Sequence, residues 1–159
     1  MITQLRQAHA PLRDDIVTLD RALTILLDAT ADHSAVPKMI NSLTAANFVW
    51  QLRVNCDFYC NHLTLHHTIE DQRMFPTMAR RFPELKPVIG ELKAQHEAIG
   101  ELVDEAKAAS LHLTADHESV ARARTAIGTL ATHLRAHLAD EETAMFPYFR
   151  TMTQDWHLG

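Results

Sequence analysis

Two stretches of this chain pair a histidine with a glutamate one helical turn away. His62 to Pro76 reads HLTLHHTIEDQRMFP, and His133 to Pro147 reads HLRAHLADEETAMFP. Aligned without a gap at an offset of 71 residues, seven of the fifteen positions are identical. His66 and Glu70 fall on His137 and Glu141. Residues i and i+4 share one helix face, so each copy presents an imidazole and a carboxylate side by side. Those donors, without thiolate, suit iron, zinc or manganese. A carboxylate also has two oxygens with which to bridge. A ligand pair stated twice points to two metal ions.

Each pair is preceded by a helix with a single inward histidine, His9 in LRQAHAPL and His96 in LKAQHEAI. The distance from lone histidine to pair is 57 residues in the first half and 41 in the second. The extra length falls near residues 30–47, where a lid, a dimer contact or a longer helix would fit.

Helical periodicity selects which groups face inward. With His66 at the origin and about 100° per residue, Ala45, Phe48, Leu52, Tyr59, Leu63, Glu70 and Met74 share its stripe. His67 then falls at about 100° and Asp71 at about 140°, at the edge and outside. With His137 at the origin, Ile127, Leu130, Leu134, Glu141 and Met145 share its stripe, and Glu142 points away. His9 joins Leu5, Ile16, Leu23 and Leu27, and His96 joins Ile89, Leu92, Ile99 and Val103. Four histidines and two glutamates therefore project into one core. Buried carboxylates without cations are costly and repel one another. Lysine and arginine are absent from these stripes, so metal is the economical counter-charge. Glu70 and Glu141 would bridge, with His9 and His66 on one ion and His96 and His137 on the other.

The elements that must position these groups are helical. Alternating strand patterns and hairpin turn dipeptides are absent, which predicts an all-α fold. Four helices are expected, over roughly 2–29, 38–74, 84–109 and 117–145, in a single domain spanning 1–159. Pro76, Pro83 and Pro87 bracket one turn; Asp116 or Thr114 is a candidate N-cap. Pro11 marks a kink or a later start for the first helix. Net charge is −5, which argues against nucleic-acid binding through a basic surface. No stretch approaches the length of a membrane span, and the first residues lack the apolar segment of a signal peptide. Cys56 and Cys60, one turn apart, read as free thiols in a reducing cytoplasm.

The pieces LRQAH, HHTIEDQRMFP, LKAQHEAI and HLADEETAMFP occur in the order H, HxxxE, H, HxxxE. On them the chain resembles the hemerythrin-like, or HHE cation-binding, proteins over nearly its whole length. The resemblance implies an up-down-up-down four-helix bundle. It also implies a non-haem centre of two Fe ions joined by a bridging oxo or hydroxo group. Its ligands would be His9, His66, Glu70, His96, His137 and Glu141. Oxygen-carrying members have a further histidine one turn after the third-helix histidine; here that position is Gly100. One iron would then lack a third imidazole, which favours turnover of O2 or H2O2 over carriage.

The expected function is thus a di-iron oxidase or peroxidase-like enzyme. It would draw electrons from a small donor such as a reduced flavin or deazaflavin. The alternatives are a protein that binds, stores or senses O2, NO or iron, and a structural zinc bundle. Tyr59, His62 and His133 are candidates to support the ligands, and Glu97 is a further, weaker ligand candidate. Met74, Phe75, Met145 and Phe146 are expected to close one end of the core. His33, His112, His117 and His157 receive no role.

Overall fold

A computed structural model describes residues 1–31 and 42–152. His33, His157 and most of the 30–47 segment lie outside the described residues. Helix α1 spans Ile2–Ala31 and α2 spans Ser42–Ile69. A π-helical turn, Glu70–Met74, continues α2 directly into the short α3, Phe75–Arg81. A 3₁₀ turn, Pro83–Leu85, leads to α4, Lys86–Leu111, and α5 spans His117–Phe149. Among the described residues there is no strand. Helix α1 packs on α2 and α5, and α4 packs on α2 and α5, so the four long helices form a ring in sequence order.

Prolines interrupt less than the sequence suggests. Pro11 lies inside a continuous α1. The carbonyl it leaves without a donor belongs to Gln7, an exposed residue that water can reach. Pro76 was expected to end the second helix. Instead the π turn carries the chain past it: Phe75 N–H bonds the Glu70 carbonyl, and Pro76 sits in the first turn of α3. Asp116 caps α5, its side chain accepting from Ser119 N–H at 2.9 Å.

The apolar core is in two parts. The larger runs from Leu12 through Leu63 and Ile99 to Leu138. The smaller, at the opposite side of the histidine positions, gathers Leu5, Phe75, Met78, Leu92 and Met145. Phe75 and Met145 are fully buried, and Met74 and Phe146 pack against them half-buried. Phe48, expected on the core stripe, is instead exposed. Cys56 and Cys60 are buried and unbridged, and burial pushes the Cys60 thiol up to about 12 and raises that of Cys56. Both are core fillers.

Tyr59 is buried with its hydroxyl donating to the Leu12 carbonyl at 3.0 Å. This bond ties α2 to α1. Tyr59→Phe is expected to lower the unfolding free energy by about 1 kcal/mol, the net worth of one buried hydrogen bond, as read by urea denaturation. Metal content should be unchanged.

Candidate metal centre

Between the two apolar clusters lies a polar layer. His9 sits between Leu5 and Leu12 on α1, and His96 between Leu92 and Ile99 on α4. Helix α2 supplies His66, His67 and, where the π turn begins, Glu70. Helix α5 supplies His137 and Glu141. His9, His67, Glu70, His96, His137 and Glu141 are buried, and His66 nearly so. Their donor atoms form two groups. One is His9, His66, Glu70 and Glu141; the other is His67, Glu70, His96 and His137. All six residues expected from the sequence are brought together. Glu97 is exposed and takes no part.

Glu70 belongs to both groups and divides its oxygens between them. Its Oε1 lies 3.1 Å from His66 Nε2 and 3.7 Å from His9 Nε2. Its Oε2 lies 3.5 Å from His96 Nε2. Glu141 Oε2 is 3.2 Å from His9 Nε2 and 4.0 Å from His137 Nε2. These are not hydrogen bonds. His9 Nε2, His66 Nε2, His67 Nε2 and both oxygens of Glu70 and Glu141 are buried without a hydrogen-bond partner among the described residues. Ligands bound to one ion at about 2.0–2.2 Å stand roughly 3 Å apart, which is the spacing seen. The donor set therefore fits a pair of cations.

The outer nitrogens fix which atoms face in. His9 Nδ1 meets Glu142 Oε1 at 2.8 Å, and Arg13 holds that carboxylate at 2.8 Å. His96 Nδ1 meets Asp71 Oδ1 at 3.1 Å. His137 Nδ1 meets Gln95 Oε1 at 2.8 Å, the amide being oriented by its Nε2 donating to Asp140 at 3.1 Å. In each case Nδ1–H must donate, since its partner is an acceptor, and in the neutral ring Nε2 is left as a bare lone pair. His96 Nε2 and His137 Nε2 then face each other at 3.0 Å with no proton between them. Two lone pairs at that spacing suit a shared Lewis acid.

Without a cation the layer is strained electrostatically. Burial, reinforced by neighbouring imidazoles, pulls His66 and His137 down to about 3, and lowers His67 as well. Burial also lowers His96, against the pull of Asp71. Burial and the charge of Glu141 push the Glu70 carboxyl up to about 8, against the pull of His9. At His9 burial is outweighed by Glu141, Glu70 and Glu142, which together raise it to about 9. A proton on His9 is the one positive charge the metal-free cluster favours.

Several residues stand elsewhere than expected. His67 was placed at the stripe edge, yet its ring is buried and stacks on His96 at 4.0 Å. The group with His96 and His137 therefore has three imidazoles, not two. Gly100 is exposed, and a side chain there would meet nothing within 4 Å. Asp71 and Glu142, read as facing away, orient His96 and His9. The repeat carried this signal: His67 aligns with Leu138, a fully buried apolar position, and Asp71 aligns with Glu142. Of the proposed supporting residues, the Tyr59 hydroxyl is spent on Leu12 and the exposed His133 bonds its own helix at the Thr129 carbonyl. His62 is half-buried beside Phe58.

Four helices converging histidines and carboxylates on a buried layer define a class, the bundles that build a cation site on facing helices. Comparison with known families matches residues 1–149 to the Hemerythrin HHE cation binding domain, and the chain belongs to that family. Neither curated proteins nor solved structures gave a match. No helix among the described residues is long and apolar enough to cross a membrane.

Asp71→Asn and Glu142→Gln each keep the shape but weaken the grip on a ligand histidine. Each is expected to lower metal affinity about 10- to 100-fold, measured by competition with a chromophoric chelator, with helicity unchanged.

Proposed function

We propose that this layer holds two iron ions and that the centre reacts with O2 or H2O2, with electrons from a small two-electron donor. His9, His66 and Glu141 would hold one ion and His67, His96 and His137 the other, with Glu70, which belongs to both groups, shared between them. The single observation that carries this reading is the convergence of seven buried, unpartnered donor atoms on one layer. Iron held there supplies two-electron exchange with dioxygen or peroxide. The chain's own residues fix the imidazoles through Glu142, Asp71 and Gln95, exclude water with apolar clusters on both sides, and leave one side of the cluster open. A cytoplasmic setting suits the two unbridged thiols.

The second reading is reversible binding of O2 or NO without turnover. A specific observation favours it: His67 supplies the third imidazole that Gly100 does not. The group with His96 is also covered by Phe75, which stacks on that ring at 5.4 Å. An open position on that ion, the basis for expecting turnover from the sequence, loses its support. Turnover would then depend on the His9–His66 side alone.

Purified protein loaded with iron is expected to carry two irons per chain and to show the near-ultraviolet absorption of a coupled diferric pair. Reduced without air and then given O2 or H2O2 with excess donor, it should consume many equivalents of oxidant. Uptake of one equivalent, released again under vacuum, would establish carriage instead. His67→Leu, which copies Leu138, should keep the fold and lower iron content from two per chain toward one. Retention of both irons with an unchanged spectrum would remove His67 from the ligand set.

A further inference from the structure

A cavity of about 170 Å³ opens beside the His9–His66 side of the cluster. His66 and Glu70 form its inner wall, Leu5, Met74 and Phe149 its sides, and Arg73 part of its rim. We infer that this cavity binds a small organic acid, an apolar body up to about the size of benzene whose single carboxylate pairs with Arg73. Only its inner wall rests on the metal reading given above.

Volume is the first argument. An apolar cavity of about 150 Å³ accommodates benzene, whereas one water needs only about 10–15 Å³ on a comparable measure. A diatomic ligand would leave most of this space unfilled. Wall chemistry is the second. Leucine, methionine and phenylalanine offer no hydrogen bonds, so a guest is held there by contact, and the methionine thioether adapts to different shapes. Small-molecule sites combine such walls with a few placed polar groups.

Arg73 is the third. It is exposed and makes no ion pair or side-chain hydrogen bond among the described residues. The other polar side chains lining the cavity are His66, Glu70 and the exposed Gln4; His66 and Glu70 are taken up by the metal centre in the loaded protein, and Gln4 carries no charge, which leaves Arg73 as the cationic side chain of the lining. An acid therefore enters with its charge at the rim and its apolar body directed at the cluster. Guanidinium is suited to that role, because it pairs a carboxylate through two parallel N–H donors. The other group of the cluster offers no comparable approach, since His96 is stacked against His67 and Phe75.

The test uses zinc-loaded protein, which is diamagnetic, with ¹³C-labelled methionine methyl groups and with benzoate and toluene as probes. Benzoate is expected to shift the Met74 methyl signal, assigned by Met74→Leu, to saturation. Arg73→Gln should weaken benzoate by up to about 5-fold and leave toluene unchanged, with partial recovery in Arg73→Lys. Ala8→Phe, at an exposed helix position on the rim, should block both probes while sparing the fold. Metal content measured on the same samples separates loss of the centre from loss of the cavity ligand. The inference is overturned if benzoate leaves Met74 unmoved in fully loaded protein. It is equally overturned if Arg73→Gln binds benzoate as well as the parent, since the carboxylate would then be held by the metal.

Discussion

The bundle is arranged around a polar layer whose buried groups are costly to leave unpaired. Seven buried donor atoms of the cluster lack hydrogen-bond partners among the described residues. At about 1–3 kcal/mol each their desolvation amounts to something on the order of 10 kcal/mol. That is as large as the whole stability of an ordinary domain, about 5–15 kcal/mol. Protons favoured on His9 and Glu70 supply only part of what is missing, and the Nε2 atoms of His96 and His137 face each other at 3.0 Å. In the proposed centre two cations would satisfy them together. The apolar clusters on either side lower the local dielectric, which raises both the cost of leaving these groups unpaired and the strength with which the layer holds charge.

The two halves of the chain are coupled through this layer in a crossed pattern. Each buried glutamate of the cluster is followed by an acid, Asp71 after Glu70 and Glu142 after Glu141. That acid does not serve its own half. Asp71 on α2 orients His96 of α4, and Glu142 on α5 orients His9 of α1. Each half thus relies on the other to orient its single histidine. The tautomers of both histidines are set from across the bundle.

This crossing is also why the sequence was only partly legible. Helix count, the inward pair in each repeat and the lone histidines followed from apolar spacing, which a straight helix preserves. Asp71 and Glu142 were misread because a wheel of directions takes no account of reach: a carboxylate at the stripe's outer side can still bend to an Nδ1 on the neighbouring helix. His67 was misread for a different reason. Its angle was marginal, and the deciding fact, that Leu138 occupies the same place in the other copy, lay in the repeat rather than in the periodicity. The π turn left no mark in hydrophobic spacing at all. Pro76 signalled some departure from a regular helix, but not that the chain would continue beyond it.

That π turn is what breaks the symmetry of the repeat. It adds a residue to one turn of the backbone, rotating everything after Glu70 by about one position, whereas α5 runs as regular helix past Glu141. The consequence appears in the Met-Phe dipeptides that the two copies share. After the π turn Phe75 is fully buried and Met74 half-buried; in α5 Met145 is fully buried and Phe146 half-buried. Phe75 thereby reaches His96 and closes that side of the cluster, while Met74 is turned to the cavity beside His66. One extra residue in one helical turn thus gives a repeated sequence a closed end and an open end. In the proposed centre the two ions cannot be equivalent: one is enclosed by three imidazoles and an aromatic ring, and the other faces an apolar chamber. Among the described residues, the cavity beside His66 gives a ligand from outside an approach to the second.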